Sequence, residues 1–194
     1  MINLKKISII LVTLFAVIGA IIIYKYTLTD ENKKTDNNKI NSEYTLLGEK
    51  NVFKYESIDV IANTLSKGTG IIFFCIPEND WCQYYAKYLN ETAINNNVDE
   101  IIYLNIKQDR SYNTSGYRKI INILNDYLYK DDEGNKKVFV PNLIFVKNGN
   151  ITSFDNETSF MTNEFTPSTY YTNEKIAELN QKITNFIIKY KEEL

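Results

Sequence analysis

At 194 residues with a net charge of −2, the chain allows one domain of ordinary size plus an appendage. It offers no overall basic field, which argues against nucleic acid as a partner. Hydrophobic residues (44%) suffice for a core, while the absence of histidine excludes Ser-His-Asp and Cys-His machinery and leaves two cysteines too few for a structural zinc site.

Taken in chain order, the first feature is an uncharged apolar run from Ile7 to Tyr24, preceded by Lys5 and Lys6. As a helix it would reach about 27 Å at ~1.5 Å per residue, close to the hydrocarbon thickness of a bilayer. Ala20 suits the position before a signal-peptide cut, but Ile18 does not suit the position two residues earlier, so the run is read as an uncleaved anchor. No cysteine follows it closely, which excludes lipid attachment after cleavage. The basic start is expected in the cytoplasm and residues 43–194 outside it. Residues 1–24 are thus expected to form the cytoplasmic start and transmembrane helix. Residues 25–42, polar and without periodicity, are expected as a flexible tether.

From Glu43 the pattern alternates. Ser57 caps a helix whose Ile58, Ile61, Ala62 and Leu65 share a face, with Gly68 past its end. Gly70 to Ile76 reads as a strand buried on both faces, ended by Pro77. Asn79 or Asp80 caps a helix carrying Trp81, Tyr84, Tyr85, Tyr88 and Leu89. Ile101 to Ile106 is a second buried strand, and Tyr117, Ile120, Ile121, Leu124 and Leu128 form another helical face. Asp131 to Asn135 is a turn. Leu143–Val146 and Ile151–Phe154 flank Lys147-Asn148-Gly149-Asn150, whose Asn-Gly signals a hairpin. The last helix carries Ile176, Leu179, Ile183, Phe186, Ile187 and Tyr190. Helical crossovers demand parallel pairing of the central strands and the hairpin adds an antiparallel pair, so a mixed sheet with helices on both faces is expected. Asp155 to Thr172 exceeds what a hairpin-to-helix link needs and is either a lid or a packed excursion. Its opening Asp155-Asn156-Glu157-Thr158 lacks the glycine and the ligand spacing of a calcium loop.

The segment Val140-Pro141-Asn142-Leu143-Ile144-Phe145-Val146-Lys147-Asn148-Gly149 resembles the stretch of thioredoxins that begins Ile-Pro-Thr-Leu and ends Lys-Asn-Gly. Pro77-Glu78-Asn79-Asp80-Trp81-Cys82 resembles the Pro-Glu-Cys-Pro-Trp-Cys site of membrane-tethered Gram-positive thioredoxin-like proteins of the bacteriocin-transport-accessory type. The resemblance covers roughly residues 71–190. It implies a thioredoxin-like α/β domain, a cis peptide before Pro141, and a groove in which Val140 offers its backbone to an extended segment of a client protein. Asn79, Asp80, Trp81, Val140 and Pro141 would line that groove, and no cofactor or metal is implied.

Where the sequence departs from the family, its chemistry departs too. In one register Cys82 is the attacking cysteine and Tyr85 replaces its partner. In the other, favoured by the apolar positions from Cys82 to Leu89, Cys82 takes the resolving place and Asn79 replaces the nucleophile. A resolving thiol alone cannot complete a two-cysteine cycle. Cys75, at the end of the buried strand, is open to three readings: a buried free thiol, a structural disulfide with Cys82, or a redox pair with it. Glu78 and Asp80 would raise a nearby thiol pKa and read as surface or cap residues. The function expected is a binding or accessory module without dithiol turnover, with an oxidoreductase working through Cys82, alone or with Cys75, as the alternative.

Overall fold

The computed structural model describes the backbone of residues 4–161 and 165–192, and their side chains apart from those of residues 4–12, 26 and 29–36. It is a mixed α/β structure. The elements in order are α1 (Leu4–Glu43), β1 (Phe53–Tyr55), α2 (Ile58–Lys67), β2 (Gly70–Cys75), α3 (Asp80–Asn95), β3 (Ile101–Asn105), α4 (Lys107–Ser111) and α5 (Ser115–Ile123). The hairpin β4 (Asn142–Lys147) and β5 (Asn150–Asp155), a 3-10 turn over Glu157–Phe160, α6 (Pro167–Tyr170) and α7 (Asn173–Glu192) follow.

Five strands form one sheet in the order β1-β3-β2-β4-β5. The pairs β1–β3 and β3–β2 are parallel, whereas β2–β4 and β4–β5 are antiparallel. Asn148 and Gly149 both take positive φ (50° and 77°), the conformation a two-residue turn between twisted strands demands. A side chain at Gly149 would also collide with the Ser66 carbonyl, 2.4 Å from where its Cβ would lie.

The two faces of the sheet are covered by different helices. Phe73 of β2 stacks on Tyr85 of α3, and Phe145 of β4 meets Phe186 and Tyr190 of α7, so α3 and α7 share a face. Gly70, one pleat out of phase with Phe73, faces Thr64 of α2, which packs with α5 on the other side. Phe73, Phe74, Leu143, Ile144, Phe145 and Val146 are all fully buried, as continuous apolar strands between two helical layers must be.

Three sequence expectations meet a different structure. The fifth strand, β1, was not among the expected elements. Its three residues carry no readable period and take their hydrogen bonds from β3, far along the chain. The helix expected to run through Leu128 stops at Ile123, with Leu124 as its C-cap and Leu128 following in turns. Residues 25–42, expected as a tether, are continuous helix within α1. Extending an existing helix costs far less than nucleating one, and the end of α1 is docked. Ile40 is fully buried, Tyr44 just beyond it is 1% exposed, and the Tyr44 hydroxyl donates to that of Tyr103 at 2.9 Å. The boundary expected at Glu43 therefore lies inside a packed segment, and among the described residues the core begins at Ile40.

The transmembrane expectation for Ile7–Tyr24 falls partly outside the described side chains. Among the described residues no helix is long and apolar enough to cross a membrane. The described part of the run is nevertheless bare: Leu14, Phe15, Val17, Ile18, Ile21, Ile22, Ile23 and Tyr24 are all exposed.

Candidate functional site

The end of β2 and the start of α3 converge because Pro77, Glu78 and Asn79 form a short turn between them. Asn79 donates its N–H to the Ile76 carbonyl at 2.9 Å, and its side chain accepts from the Cys82 N–H at 3.2 Å. It is thus the N-cap of α3, satisfying one of the N–H groups that every helix start leaves without a partner.

Cys82, one turn in, points down toward the sheet. It forms a disulfide with Cys75, the last residue of β2, across a Cα–Cα distance of 5.7 Å, in the ordinary range for such bonds. Of the three readings open for Cys75, the free thiol is set aside: no cysteine of the chain is free. Both residues are fully buried, and the Cys82 Sγ accepts the Ile76 N–H at 3.2 Å. Asn79, in contrast, is half-buried and reaches the surface.

The same corner holds the proline. The β2–β4 ladder runs from Gly70↔Val146 to Phe74↔Asn142, so the next step brings Pro141 level with Cys75. The Val140–Pro141 peptide is cis. Pro141 is anchored from behind, where the Ser159 hydroxyl donates to its carbonyl at 2.7 Å. Among the described residues, neither Phe139 nor Val140 makes a backbone hydrogen bond to another main-chain group. The structure thus gathers Cys75, Cys82, Asn79 and Pro141 at one end of the sheet.

Trp81 and Asp80 lie on the outer side of the same turn. Asp80 is exposed in the first turn of α3, where its charge suits the helix dipole. Trp81 is covered from the later chain: its ring lies 5.3 Å from that of Tyr170 and 6.0 Å from that of Tyr171. Tyr171 also stacks on Tyr84 and meets Tyr88. The segment after Asp155 is therefore a packed excursion rather than a detached lid, although residues 162–164 lie outside the described residues. Glu78 is exposed and held by Lys107 Nζ at 2.8 Å; that hydrogen bond lowers its carboxyl pKa and leaves it poorly placed to act on a buried sulfur.

Two polar networks near the site are made by partners that the sequence pattern does not pair. The first is built on Gln83, directly after Cys82. Its amide donates to the carbonyls of Glu43 and Pro77, each at 2.7 Å, and accepts the Thr45 N–H at 3.1 Å, tying the end of α1 to the site turn. The second is a cluster under α3 that runs from the buried Tyr85 and Asp155 out to the surface. Tyr85, 1% exposed, donates to Asp155 Oδ2 at 2.6 Å, and Lys182 pairs with Asp155 Oδ1 at 3.2 Å and with Glu157. Burial and the Asp155 charge push the Tyr85 pKa well above its ordinary value. For Lys182 burial works against the ammonium, but Glu157 and Asp155 outweigh it and raise its pKa. The acidic turn at Asp155 thereby supplies the counter-charge to Lys182.

Comparison of the chain with protein-family models, curated proteins and solved structures finds no match.

Proposed function

We propose that this chain is a thioredoxin-like binding or accessory module, held outside the cytoplasm by its N-terminal helix, in which the dithiol reaction has been lost. One observation carries the reading. Asn79 occupies the accessible helix-start position at which a thiolate would be stabilised, while Cys82 is turned inward and bonded to Cys75. Disulfide exchange requires a thiolate that can approach a substrate sulfur, and two fully buried sulfurs do not offer one.

The strand order, the antiparallel hairpin and the cis Val140–Pro141 peptide support the thioredoxin-like part of the reading. The client segment would lie extended beside Val140, whose backbone has no main-chain partner among the described residues. Lys5 and Lys6, the apolar run to Tyr24 and its bare described part support the anchor. A buried disulfide in a small domain also fits an oxidising compartment better than a reducing one.

The second reading, an oxidoreductase cycling Cys75 and Cys82, is favoured by one observation: the pair is oxidised and level with Pro141. A thiol count separates the two. The module reading expects no reactive thiol in the folded or the denatured protein, and no release of thiols by mild reductant until denaturant is added. Rapid release of both thiols from the folded protein by mild reductant would favour the oxidoreductase.

A further inference from the structure

The two arginines of the chain, Arg110 and Arg118, line one cleft of about 880 Å³ between α4, α5 and the turn before Val138. Lys136 and Lys137 line it from the opposite side. Among the described residues none of the four has a carboxylate within ion-pair distance. They are held instead by neutral groups: Arg110 donates to the Val138 carbonyl at 3.3 Å, Arg118 to that of Asn113, and Lys136 to that of Leu128 at 2.6 Å. Lys137 lies 5.5 Å from the centre of the Phe139 ring.

The acids nearby do not neutralise them. Asp131 spends Oδ1 on the backbone N–H groups of Glu133 and Asn135 within its own turn, and Glu133 accepts from the Asn135 amide at 3.4 Å. An acidic protein therefore carries a local basic cleft with guanidinium N–H groups to spare, which suits planar carboxylates. The floor of the cleft includes the ring of Tyr117 and the side chain of Ile121. The Tyr117 hydroxyl accepts the Val138 N–H at 3.2 Å, so the cleft adjoins the irregular segment that leads through Val140 and Pro141 into β4.

We propose that this cleft binds the acidic stretch of an extended peptide whose neighbouring residues lie beside Val140. The proposal rests on the reading of Val140–Pro141 as a client groove and names the class of client: a polypeptide with spaced Asp or Glu residues. A densely charged phosphate polymer suits the cleft less well, because Asp131 and Glu133 stand on its rim and Tyr117 and Ile121 offer an apolar floor.

The test uses the full chain, ¹⁵N-labelled, with a short alternating Glu-Ala peptide, its Gln-Ala counterpart and inorganic polyphosphate as probes. The proposal expects the Glu peptide to bind at least about tenfold more tightly than the Gln peptide, with the preference weakening in salt, as pairs to charged groups do. The Arg110→Gln/Arg118→Gln variant should lose that preference. The pair Arg118→Gln/Lys137→Gln, at an exposed and a half-buried position, should weaken it even if the first variant folds poorly. If both peptides shift the Val140 amide resonance with equal affinity, the groove reading stands and the acidic class is wrong. If neither peptide shifts it, the groove reading fails and takes the proposal with it. Polyphosphate binding more tightly than the Glu peptide, through the same arginines, would overturn the proposal in favour of a polyanion.

Discussion

Asn79 Oδ1 accepts the main-chain N–H of Cys82 at 3.2 Å, while the Cys82 sulfur is bonded on the opposite side to Cys75. One residue caps the helix from outside and the other locks it to the sheet from inside. Removing the cap alone should cost stability without touching the disulfide. Asn79→Ala is expected to lower the unfolding free energy by about 0.5–2 kcal/mol, with Asn79→Asp close to the natural protein. Denaturant midpoints of the three proteins check this; an unchanged midpoint in Asn79→Ala would show that the cap contributes nothing.

The lock is expected to matter more than the cap. The disulfide closes a short loop, with a sequence separation of 7, and chain-entropy arguments put such a closure at about 2–3 kcal/mol. Cys75→Ala and Cys82→Ala should therefore each destabilise the domain by at least that amount. Cys82→Ala also leaves the buried Ile76 N–H without its sulfur acceptor. The double variant should cost little more than either single one, since the bond is lost once; additive losses would contradict a shared bond.

The end of α1 belongs to the domain. A protein beginning at Asn37 should keep Ile40 buried and the Glu43 and Thr45 contacts to Gln83, whereas one beginning at Glu43 loses Ile40. Burying one isoleucine side chain stabilises by about 1.5–3 kcal/mol, so the shorter protein should melt measurably lower. Equal melting temperatures would restore the boundary at Glu43 that composition suggested.

The alkaline limb of the pH dependence follows from the buried tyrosines, with Lys182, whose pKa is also raised, acting in the same direction. Burial raises the pKa of Tyr44, Tyr85, Tyr103 and Tyr171 above the ordinary value. A raised folded-state pKa contributes stability in full below the unfolded value, about 10 for tyrosine, and loses it as pH rises beyond. Stability should thus decline through alkaline pH, with exposed tyrosines ionising first and the buried ones only on unfolding. Tyrosinate absorbance followed beside circular dichroism tests this. Ionisation of every tyrosine before any loss of structure would contradict it.

The periodic elements were legible: Ser57 and Asn79 as caps, the apolar runs of β2 and β3, and the Asn148-Gly149 turn all follow from local chemistry. What escaped was decided by distant partners. β1 is only Phe53–Tyr55 and exists because β3 offers it a parallel edge. The helical course of residues 25–42, polar by composition, ends on Ile40, whose burial comes from partners elsewhere in the chain. The pairing of Cys75 with Cys82 turns on a distance that spacing alone does not supply. Tyr170 and Tyr171 lie in a segment without period and owe their place to Trp81, Tyr84 and Tyr88, which meet them. The basic cleft was invisible in a net charge of −2, because Arg110 and Lys136, separated in the chain by α5 and the turns after it, come to line one cleft only in the fold.

The central claim is that the site has the architecture for thiol exchange without its nucleophile. The most direct measurement compares turnover of a model disulfide substrate, in the presence of a thiol reductant, by the natural protein and by Asn79→Cys. The substitution places a thiol at the start of α3, where free N–H groups favour its thiolate, with the Cys82 sulfur one turn away. Because Cys75 holds Cys82 in a disulfide, Cys75→Ala is added to the variant so that Cys82 is a free resolving thiol. The account predicts no turnover above background by the natural protein and clear turnover by Asn79→Cys/Cys75→Ala, abolished when Cys82→Ser is added. Turnover by the natural protein as fast as by Asn79→Cys/Cys75→Ala would contradict the account and make Cys75 and Cys82 a working redox pair.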